Sequence, residues 1–187
     1  MDIGPEAAAA LAAAMLHDVV SVAAEAGLSA RLCLDGPLDH PTLDGLDLPR
    51  EPQAPGDLGA RIAGALRAGG VAIGGDAPTL PAGLLAAAAR SPVDVVCAPA
   101  FDGGYVLVGC DDPTGLFEGL PWSSPLTFSA QIARARSLGR GVEILPFWYD
   151  VDTTSDLTFL RSHLAVLPPA AAPRTRAFLE LHAPPPR

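Results

Sequence analysis

The stretch from Gly70 to Pro81 constrains the fold more than any other part of this sequence. Val71 to Ile73 is short and apolar, and two glycines, an aspartate and a prolyl turn follow it. A helix follows: Thr79 can cap it, and Pro81 suits its first turn. The alanine-rich run Leu84 to Ala89 continues this helix. The pattern therefore predicts a buried strand, a tight turn and a helix.

Asp76 stands at the carboxyl end of this strand, which is where open α/β sheets bind their ligands. Gly74 and Gly75 lack a Cβ atom, so a ligand can come close to the backbone in front of Asp76. The same residues are ordinary turn formers. On local grounds a plain turn and a ligand site are equally open.

Composition and charge narrow the class of protein. The chain has 187 residues, 49% of them hydrophobic, which is typical of a globular protein. We expect one domain over residues 1–167 and a Pro/Ala-rich tail over 168–187. A net charge of −9 disfavours binding to nucleic acid or to an anionic membrane surface. The sequence contains no lysine, which excludes a Schiff base on this chain.

The compartment is indicated by the cysteines and the amino terminus. The three cysteines are widely spaced and odd in number, as expected for buried thiols in a reducing compartment. The first residues lack the basic region of a secretory signal, and the apolar run from Ala7 to Ala14 is too short to span a bilayer. We expect a cytoplasmic protein.

Apolar patterns along the rest of the chain alternate between strands and helices. Asp35 to Pro55 is predicted to be a loop. The prediction is a three-layer α/β/α fold, Rossmann-like in its alternation, with a mostly parallel sheet and one hairpin step around Asp102. The predicted elements are helices over 4–27, 58–68, 126–138 and 154–164, a short helix over 175–182, and strands over 29–34, 71–73, 92–99, 106–110 and 142–147.

Four aspartates follow predicted strands: Asp76, Asp102, Asp150 and Asp152. The carboxyl ends of parallel strands share one rim, so these acids can meet there. Crowded carboxylates repel one another, which gives a cation a physical reason to bind. Mg²⁺ is held by one or two carboxylates together with substrate phosphates. Asp102 with the two glycines after it also suits a tight turn between strands, and that alternative stays open.

Six segments, taken together, resemble one bacterial family. It is the GT-A-like family of glycosyltransferases, or radical-SAM/selenodomain-associated transferases, within the nucleotide-diphospho-sugar transferase superfamily. The match runs in order over about residues 4 to 165. The segments are Gly56-Asp57-Leu58-Gly59-x-Arg61, Gly74-Gly75-Asp76-Ala77-Pro78-x-Leu80-Pro81, Pro99-x-x-Asp102-Gly103-Gly104-Tyr105, Leu116-Phe117-Glu118-Gly119, Trp122-Ser123 and Asp150-Val151-Asp152-Thr153-x-x-Asp156-Leu157.

The resemblance implies a GT-A fold that binds a nucleotide or nucleotide-sugar donor and a small acceptor with Mg²⁺ or Mn²⁺. It implies Asp76 and Asp152 as metal ligands and Asp102 as a base for the acceptor hydroxyl. Asp57 has a second interpretation as a helix cap. The positions implied to bind substrate are Asp57, Arg61, Gly74, Gly75, Gly103, Gly104, Tyr105, Trp122, Ser123 and Thr153.

The sequence departs from this family at its amino-terminal end. Members begin with a strand and a basic glycine-bearing loop ahead of the first helix, whereas this sequence starts at the helix. The strands near Leu32 and Ile73 therefore lack the neighbour that members place between them. We expect compensation by direct pairing of these strands, by the tail, or by a homodimer.

Two functions follow. The first is a metal-dependent transferase that moves a glycosyl group, in preference to a nucleotidyl group, between a nucleotide and a small acceptor. The alternative is a catalytically silent binding or partner protein that has kept the fold and lost its nucleotide-binding loop.

Overall fold

A computed structural model describes residues 4–182 of the chain. Within that range the chain forms six α-helices, six strands and a short 3-10 helix over Pro41–Leu43. The helices are α1 (Gly4–Glu25), α2 (Leu58–Ala65), α3 (Ala82–Ala89), α4 (Thr127–Ser137), α5 (Thr154–Val166) and α6 (Pro173–Leu181). The strands are β1 (Leu32–Leu34), β2 (Arg50–Pro52), β3 (Gly70–Ile73), β4 (Val95–Pro99), β5 (Tyr105–Cys110) and β6 (Val142–Ile144).

The strands form two separate sheets. β1 and β2 pair in parallel, and the other four strands form a sheet in the order β3-β5-β4-β6. Within this larger sheet β4 and β6 are parallel, whereas β5 is antiparallel to both β3 and β4. The prediction of a mostly parallel sheet is therefore only partly right. The hairpin expected around Asp102 is present, and it reverses a strand in the middle of the sheet.

Helices cover both faces of the larger sheet around its central strand, β4. Val96 and Ala98 belong to a cluster with residues of α1 and α3. Val95 and Cys97 belong to a second cluster with residues of α2 and α4. Successive side chains of a strand point to opposite faces, so the apolar run of β4 supplies both clusters. The mixed α/β architecture predicted from the sequence is confirmed.

The segment over 35–55 was predicted to be a loop, and it contains β2. Two leucines of this segment, Leu43 and Leu46, are buried in a small apolar cluster with Leu32 of β1. Glu51 of β2 forms ion pairs with two arginines. The sequence Arg-Glu-Pro has no apolar alternation, so the strand could not be recognised from its residues; pairing with β1 creates it.

β1 and β3 do not pair with each other. A cavity of about 810 Å³ is lined by both strands. Residues of α1 and α2 line it as well. Direct pairing of β1 and β3 was therefore a wrong expectation. The described part of the tail, up to residue 182, does not fill the gap either, because it forms α6 and packs against α1. Dimerisation stays a prediction.

α1 holds two buried polar side chains, His17 and Asp18. His17 Nε2 lies 3.0 Å from the carbonyl oxygen of Thr42. The carboxylate of Asp18 accepts hydrogen bonds from the backbone N–H groups of Arg174 and Thr175, at 3.2 and 2.8 Å. These are the second and third residues of α6, so Asp18 caps α6 from another helix.

α1 is also long and apolar enough to cross a membrane. A helix of a protein core meets the same criterion, and Leu11, Met15 and Val19 of α1 are buried within this fold. The cytoplasmic location stays a prediction.

Asp18→Ala should destabilise the protein by uncapping α6. The residue before α6, Ala172, has no side chain that can replace the carboxylate. Loss of a cap costs about 0.5–2 kcal/mol, and a chain of this size loses roughly 2–4 °C in Tm for each kcal/mol. Circular dichroism melts measure the change. Asp39→Ala, the same substitution in an exposed loop, is the control. Equal Tm values for the two variants would refute the capping role.

Candidate functional site

Three carboxylates meet at the rim of the larger sheet. Asp102, Asp150 and Asp152 each present an oxygen atom such that these atoms all lie within 4.8 Å of one another. Asp102 and Asp152 are exposed and Asp150 is half-buried. The sequence predicted that acids following separate strands would converge, and these three do.

Asp102 is positioned by the turn between β4 and β5. Its Oδ1 accepts a hydrogen bond of 2.8 Å from the N–H of Gly104. Gly103 has a φ of 91°, and a Cβ atom there would lie 2.4 Å from the Cα of Pro125. The two glycines therefore serve the turn itself and its close approach to the segment before α4. One oxygen of Asp102 is therefore fixed by the backbone.

Asp76 is joined to the same site through its backbone. Its carbonyl oxygen accepts a hydrogen bond of 3.0 Å from the N–H of Val151, which lies between Asp150 and Asp152. The side chain of Asp76 folds back over Gly74, where a Cβ atom would lie 2.3 Å from Oδ1. A backbone hydrogen bond thus joins the turn after β3 to the segment before α5.

A buried chain of hydrogen bonds strengthens this junction. Trp148 Nε1 donates to Thr79 Oγ1 at 3.2 Å, and Thr79 Oγ1 donates to the hydroxyl of Tyr149 at 2.9 Å. The Tyr149 hydroxyl lies 2.8 Å from His163 Nδ1 on α5. Thr79, which was expected to cap α3, instead joins the Asp76 turn to the segment that carries Asp150.

Burial and the charges of neighbouring carboxylates raise the pKa values of Asp76, Asp150 and Asp152. The pKa of Asp150 is raised to about 6, first by burial and then by the charges of Asp76, Asp102 and Asp152. Burial also raises the pKa of Asp76, and the charges of Asp152 and Asp102 add to it. The pKa of Asp152 is raised by burial and by the charges of Asp102 and Asp156.

The chemistry of this donor set suits a hard divalent cation. Carboxylate oxygens are the ligands that Mg²⁺ and Mn²⁺ prefer. Within residues 4–182, no arginine is among the charges that act on the three shifted carboxyls. The negative charge at the rim is therefore uncompensated by the protein. Asp102, Asp150 and Asp152 are the residues that could hold a cation, with Asp76 beside them.

Most of the positions implied to bind substrate lie on the wall of the 810 Å³ cavity, which reaches the acids at Asp76, Asp102 and Asp150. Tyr105 and Trp122 meet edge to face on this wall with ring centroids 6.4 Å apart. The other implied substrate positions on the wall are Arg61, Gly74, Gly75, Gly104 and Ser123.

The remaining implied positions have local structural tasks. Asp57 caps α2 by accepting from the N–H of Ala60, and it borders a different, smaller cavity. Thr153 caps α5 in a reciprocal pair with Asp156, as the sequence predicted. Arg61 forms an ion pair with Asp35 at 2.5 Å, so its guanidinium is already engaged at the cavity wall.

The resemblance implies Asp76 and Asp152, and not Asp150, as metal ligands. A strand-like alternation of Asp150-Val151-Asp152 would leave only one of these two acids in full view of the site. The segment is not a strand, and the N–H of Val151 bonds to Asp76 instead. The roles of Thr79, Tyr149 and His163 carried no sequence signal, because they depend on side chains about 70 and 14 positions apart.

Comparisons with known proteins agree with this fold. Residues 15–124 match the model of the family described as "Uncharacterized protein conserved in bacteria (DUF2064)". A crystal structure from Desulfovibrio desulfuricans G20, described as a "putative nucleotide-diphospho-sugar transferase", superposes with a TM-score of 0.84. The two sequences are 27% identical, and the alignment covers 96% of this chain and 85% of that one. No curated protein matches the sequence.

The likeness supports the nucleotide-diphospho-sugar transferase superfamily expected from the motifs. It does not extend to the finer radical-SAM-associated grouping.

Asp150→Asn should stabilise the protein at neutral pH. An aspartate whose folded-state pKa is about 6, above its unfolded value near 3.8, destabilises the fold once ionised. Stability therefore falls as pH rises from about 4 to about 6, and asparagine removes this loss. Allowing for solvent screening of the half-exposed side chain, we expect a gain of about 1 kcal/mol, or roughly 2–4 °C in Tm.

Melts at pH 7.5 and at pH 4 measure this effect. The difference between Asp150→Asn and the unaltered protein should be present at pH 7.5 and absent at pH 4. Asp39→Asn in the exposed loop controls for the substitution itself. A variant that is less stable than the unaltered protein at pH 7.5 would show that the ionised carboxylate is structurally required.

Proposed function

This chain belongs to the bacterial protein family DUF2064, and from that premise we propose that it is a metal-dependent transferase that moves a glycosyl group from a nucleotide-sugar donor to a small acceptor. One observation carries the proposal: three carboxylates within 4.8 Å of one another open onto a large cavity. The fold around them is shared with a protein described as a nucleotide-sugar transferase.

The acids fit the needs of such a donor. Asp150 and Asp152 would hold Mg²⁺ or Mn²⁺ together with Asp76, whose backbone is tied to the segment between them. Such an ion would supply positive charge to offset the negative charge of the donor phosphates and of the leaving nucleotide. The pKa values of Asp76, Asp150 and Asp152 are raised first by burial and then by neighbouring carboxylates, and a cation would relieve the repulsion among them.

Asp102 is the base that takes the proton of the acceptor hydroxyl. It is exposed, it stands on a separate hairpin, and one of its oxygens is held by the N–H of Gly104. Its second oxygen is therefore oriented while it remains accessible.

The cavity wall supplies the rest of the site. Tyr105 and Trp122 present aromatic surface, and Trp122 Nε1 is a buried donor without a protein partner among the described residues. A buried N–H group that lacks a partner costs about 1–3 kcal/mol. A Cβ atom at Gly59 would lie 3.2 Å from Trp122 Nε1, so this N–H group lies against α2.

The alternative function, a catalytically silent binding protein, is favoured by one observation. The strands form two separate sheets, and the cavity that reaches Asp76 is lined by strands of both. Arg31 and Arg61, the arginines that line the cavity, are both engaged by acids or by backbone carbonyls. A donor phosphate would have to compete for them.

Metal and nucleotide-sugar together should stabilise the protein more than either does alone, because the ion links the acids to the diphosphate. A ligand at one hundred times its dissociation constant adds about 2.7 kcal/mol, which corresponds to roughly 5–10 °C in Tm for this size. Differential scanning fluorimetry with Mn²⁺ and a panel of nucleotides and nucleotide-sugars measures the shift. Asp152→Asn should lose the shift and Asp39→Asn should keep it. The absence of a shift with every compound would favour the silent protein.

Asp102→Asn should separate the base from the metal ligands. Loss of a general base lowers kcat by about 10²- to 10⁴-fold, whereas the affinity for Mn²⁺ should stay within a few-fold of the unaltered protein. Isothermal titration with Mn²⁺ gives the affinity, and turnover of the donor found in the panel gives kcat. A loss of Mn²⁺ affinity equal to that of Asp152→Asn would make Asp102 a ligand and not the base.

A further inference from the structure

Two exposed phenylalanines stand next to the acids of the rim in the chain. Phe101 precedes Asp102 in the turn between β4 and β5, and Phe147 lies three residues before Asp150. Their exposed fractions are 67% and 57%, and their rings meet edge to face with centroids 4.9 Å apart. A pair of rings in contact differs from a singly exposed apolar residue, which needs no explanation.

The backbone brings the two rings to the same side of the sheet. Ala100 and Trp148 form a parallel bridge beyond the ends of β4 and β6, and the N–H of Trp148 donates to the carbonyl oxygen of Pro99 at 3.0 Å. Ala100 and Trp148 both pack in the cluster that contains residues of α1 and α3. Because side chains alternate along extended backbone, Phe101 and Phe147, each next to a bridged residue, project to the other side.

The turn and the core do not account for the two rings. The rest of the hairpin turn, Asp102 to Gly104, consists of turn formers, whereas phenylalanine has no preference for turns. Phe147 lies between Leu145 and Trp148, which both pack in the apolar core. The backbone bond and the bridge already fasten the two segments, and the ring contact leaves more than half of each phenylalanine exposed. The exposed ring faces are therefore available to a ligand.

The ring pair lies beside the cavity assigned to the donor and not in its wall. Asp102 and Asp150 line this cavity, whereas Phe101 and Phe147 are not among the described residues that line it. Each of the two acids is close in the chain to one of the rings, so the acids adjoin both the cavity and the ring pair. A donor in the cavity and an acceptor on the rings could therefore reach the same carboxylates without overlapping.

The charge at the rim limits the chemistry of the ligand. Asp102, Asp150 and Asp152 present oxygen atoms within 4.8 Å of one another, and the chain has a net charge of −9. These charges repel an anionic compound, and a cationic compound would compete with a divalent ion for the same acids. An uncharged aromatic ring is free of both conflicts and stacks well on phenyl rings.

We propose that Phe101 and Phe147 form the platform that binds the acceptor, and that this acceptor is an uncharged aromatic compound with a hydroxyl group on or beside its ring. Its role as acceptor rests on the proposed function. The ring packs against the two phenylalanines while the hydroxyl reaches Asp102. The acceptor oxygen then bonds to the anomeric carbon of the donor sugar and gives its proton to Asp102. The bond from this carbon to the donor phosphate breaks, and its electron pair leaves with the nucleoside diphosphate.

An NMR titration tests the platform on the 187-residue chain without metal or donor. The probe is benzyl alcohol, and a molecule of this size is expected to bind with a Kd on the order of 1 mM. It should shift the ring resonances of Phe101 and Phe147 and the amide resonance of Asp102. The ring of Phe159, which is also exposed but lies on α5, is the internal control and should not shift. Butanol, which has no ring, and the para-carboxylate of benzyl alcohol should each bind about tenfold more weakly.

Substitutions separate the ring from its apolar bulk. Phe101→Leu keeps an apolar side chain but removes the ring, and it should weaken the binding of benzyl alcohol about tenfold. Phe101→Tyr keeps the ring and should leave the Kd nearly unchanged. Leu181→Ala, which removes an exposed apolar side chain on α6, is the control and should also leave it unchanged. Circular dichroism checks that the variants fold, and Phe147→Leu gives the same test from the other segment.

The following results would overturn the proposal. Unshifted rings of Phe101 and Phe147 at saturating benzyl alcohol would mean that the pair only fastens the hairpin. Equal binding of butanol would mean apolar adsorption without a preference for a ring, and equal binding of the para-carboxylate would remove the requirement for an uncharged compound. A dimer in analytical ultracentrifugation that Phe147→Leu dissociates would make the pair an interface between two copies.

These outcomes are distinct from those of the proposed transferase activity. If no donor supports turnover, the transferase fails while the binding of aromatic alcohols at the rings stands. Where turnover is found, Phe101→Leu should raise the KM for the acceptor about tenfold and leave kcat and the KM for the donor nearly unchanged. An unchanged KM for the acceptor would refute the platform and leave the transferase intact.

Discussion

The repulsion among four aspartates at one rim of the sheet is the constraint on which the rest of this structure depends. Asp102, Asp150 and Asp152 are brought within 4.8 Å, and Asp76 feels the charges of Asp102 and Asp152. Among the described residues, no arginine is among the groups that shift the pKa values of Asp76, Asp150 and Asp152. The fold must therefore supply enough binding energy elsewhere to hold like charges together, which is a cost that functional sites commonly carry.

That energy comes from contacts directly behind the acids. The backbone bond from Val151 to Asp76 and the buried chain from Trp148 through Thr79 to Tyr149 join the two segments that carry the charges. Tyr149 in turn contacts His163 and the ring of Phe159 on α5. The acids thus stand on a rigid aromatic support rather than on free loops, so a cation would meet ligands already close to their final positions.

The sequence predicted those features that depend on local pattern. β3 and its glycine-rich turn, the Asp102 hairpin, the Asp57 cap and the capping box at Thr153 all follow from a few adjacent residues, and the structure contains each of them. β2 escaped prediction because its three polar residues become a strand only by pairing with β1.

Asp18 escaped prediction for a related reason. A carboxylate on an apolar helix looks like a surface residue until the helix that it caps is found much further along the chain. The same distinction holds for the candidate site. The convergence of the acids could be predicted, because each acid follows a strand. The contribution of Asp150 and the support by Tyr149 could not, because they depend on contacts between residues far apart in the sequence.

The gap between the two sheets and the acids are not independent parts of the molecule. β3 borders the cavity and continues through Gly74 and Gly75 into Asp76, so one segment joins a strand that pairs on one side only to the charged rim. A strand that pairs on one side frays more readily than one that pairs on both, because half of its backbone groups exchange with water. The bond from the N–H of Val151 to the carbonyl oxygen of Asp76 ties this segment to the one that carries Asp150 and Asp152. The spacing of the carboxylates therefore depends on contacts at the rim itself, and this spacing would determine how tightly a divalent ion is held.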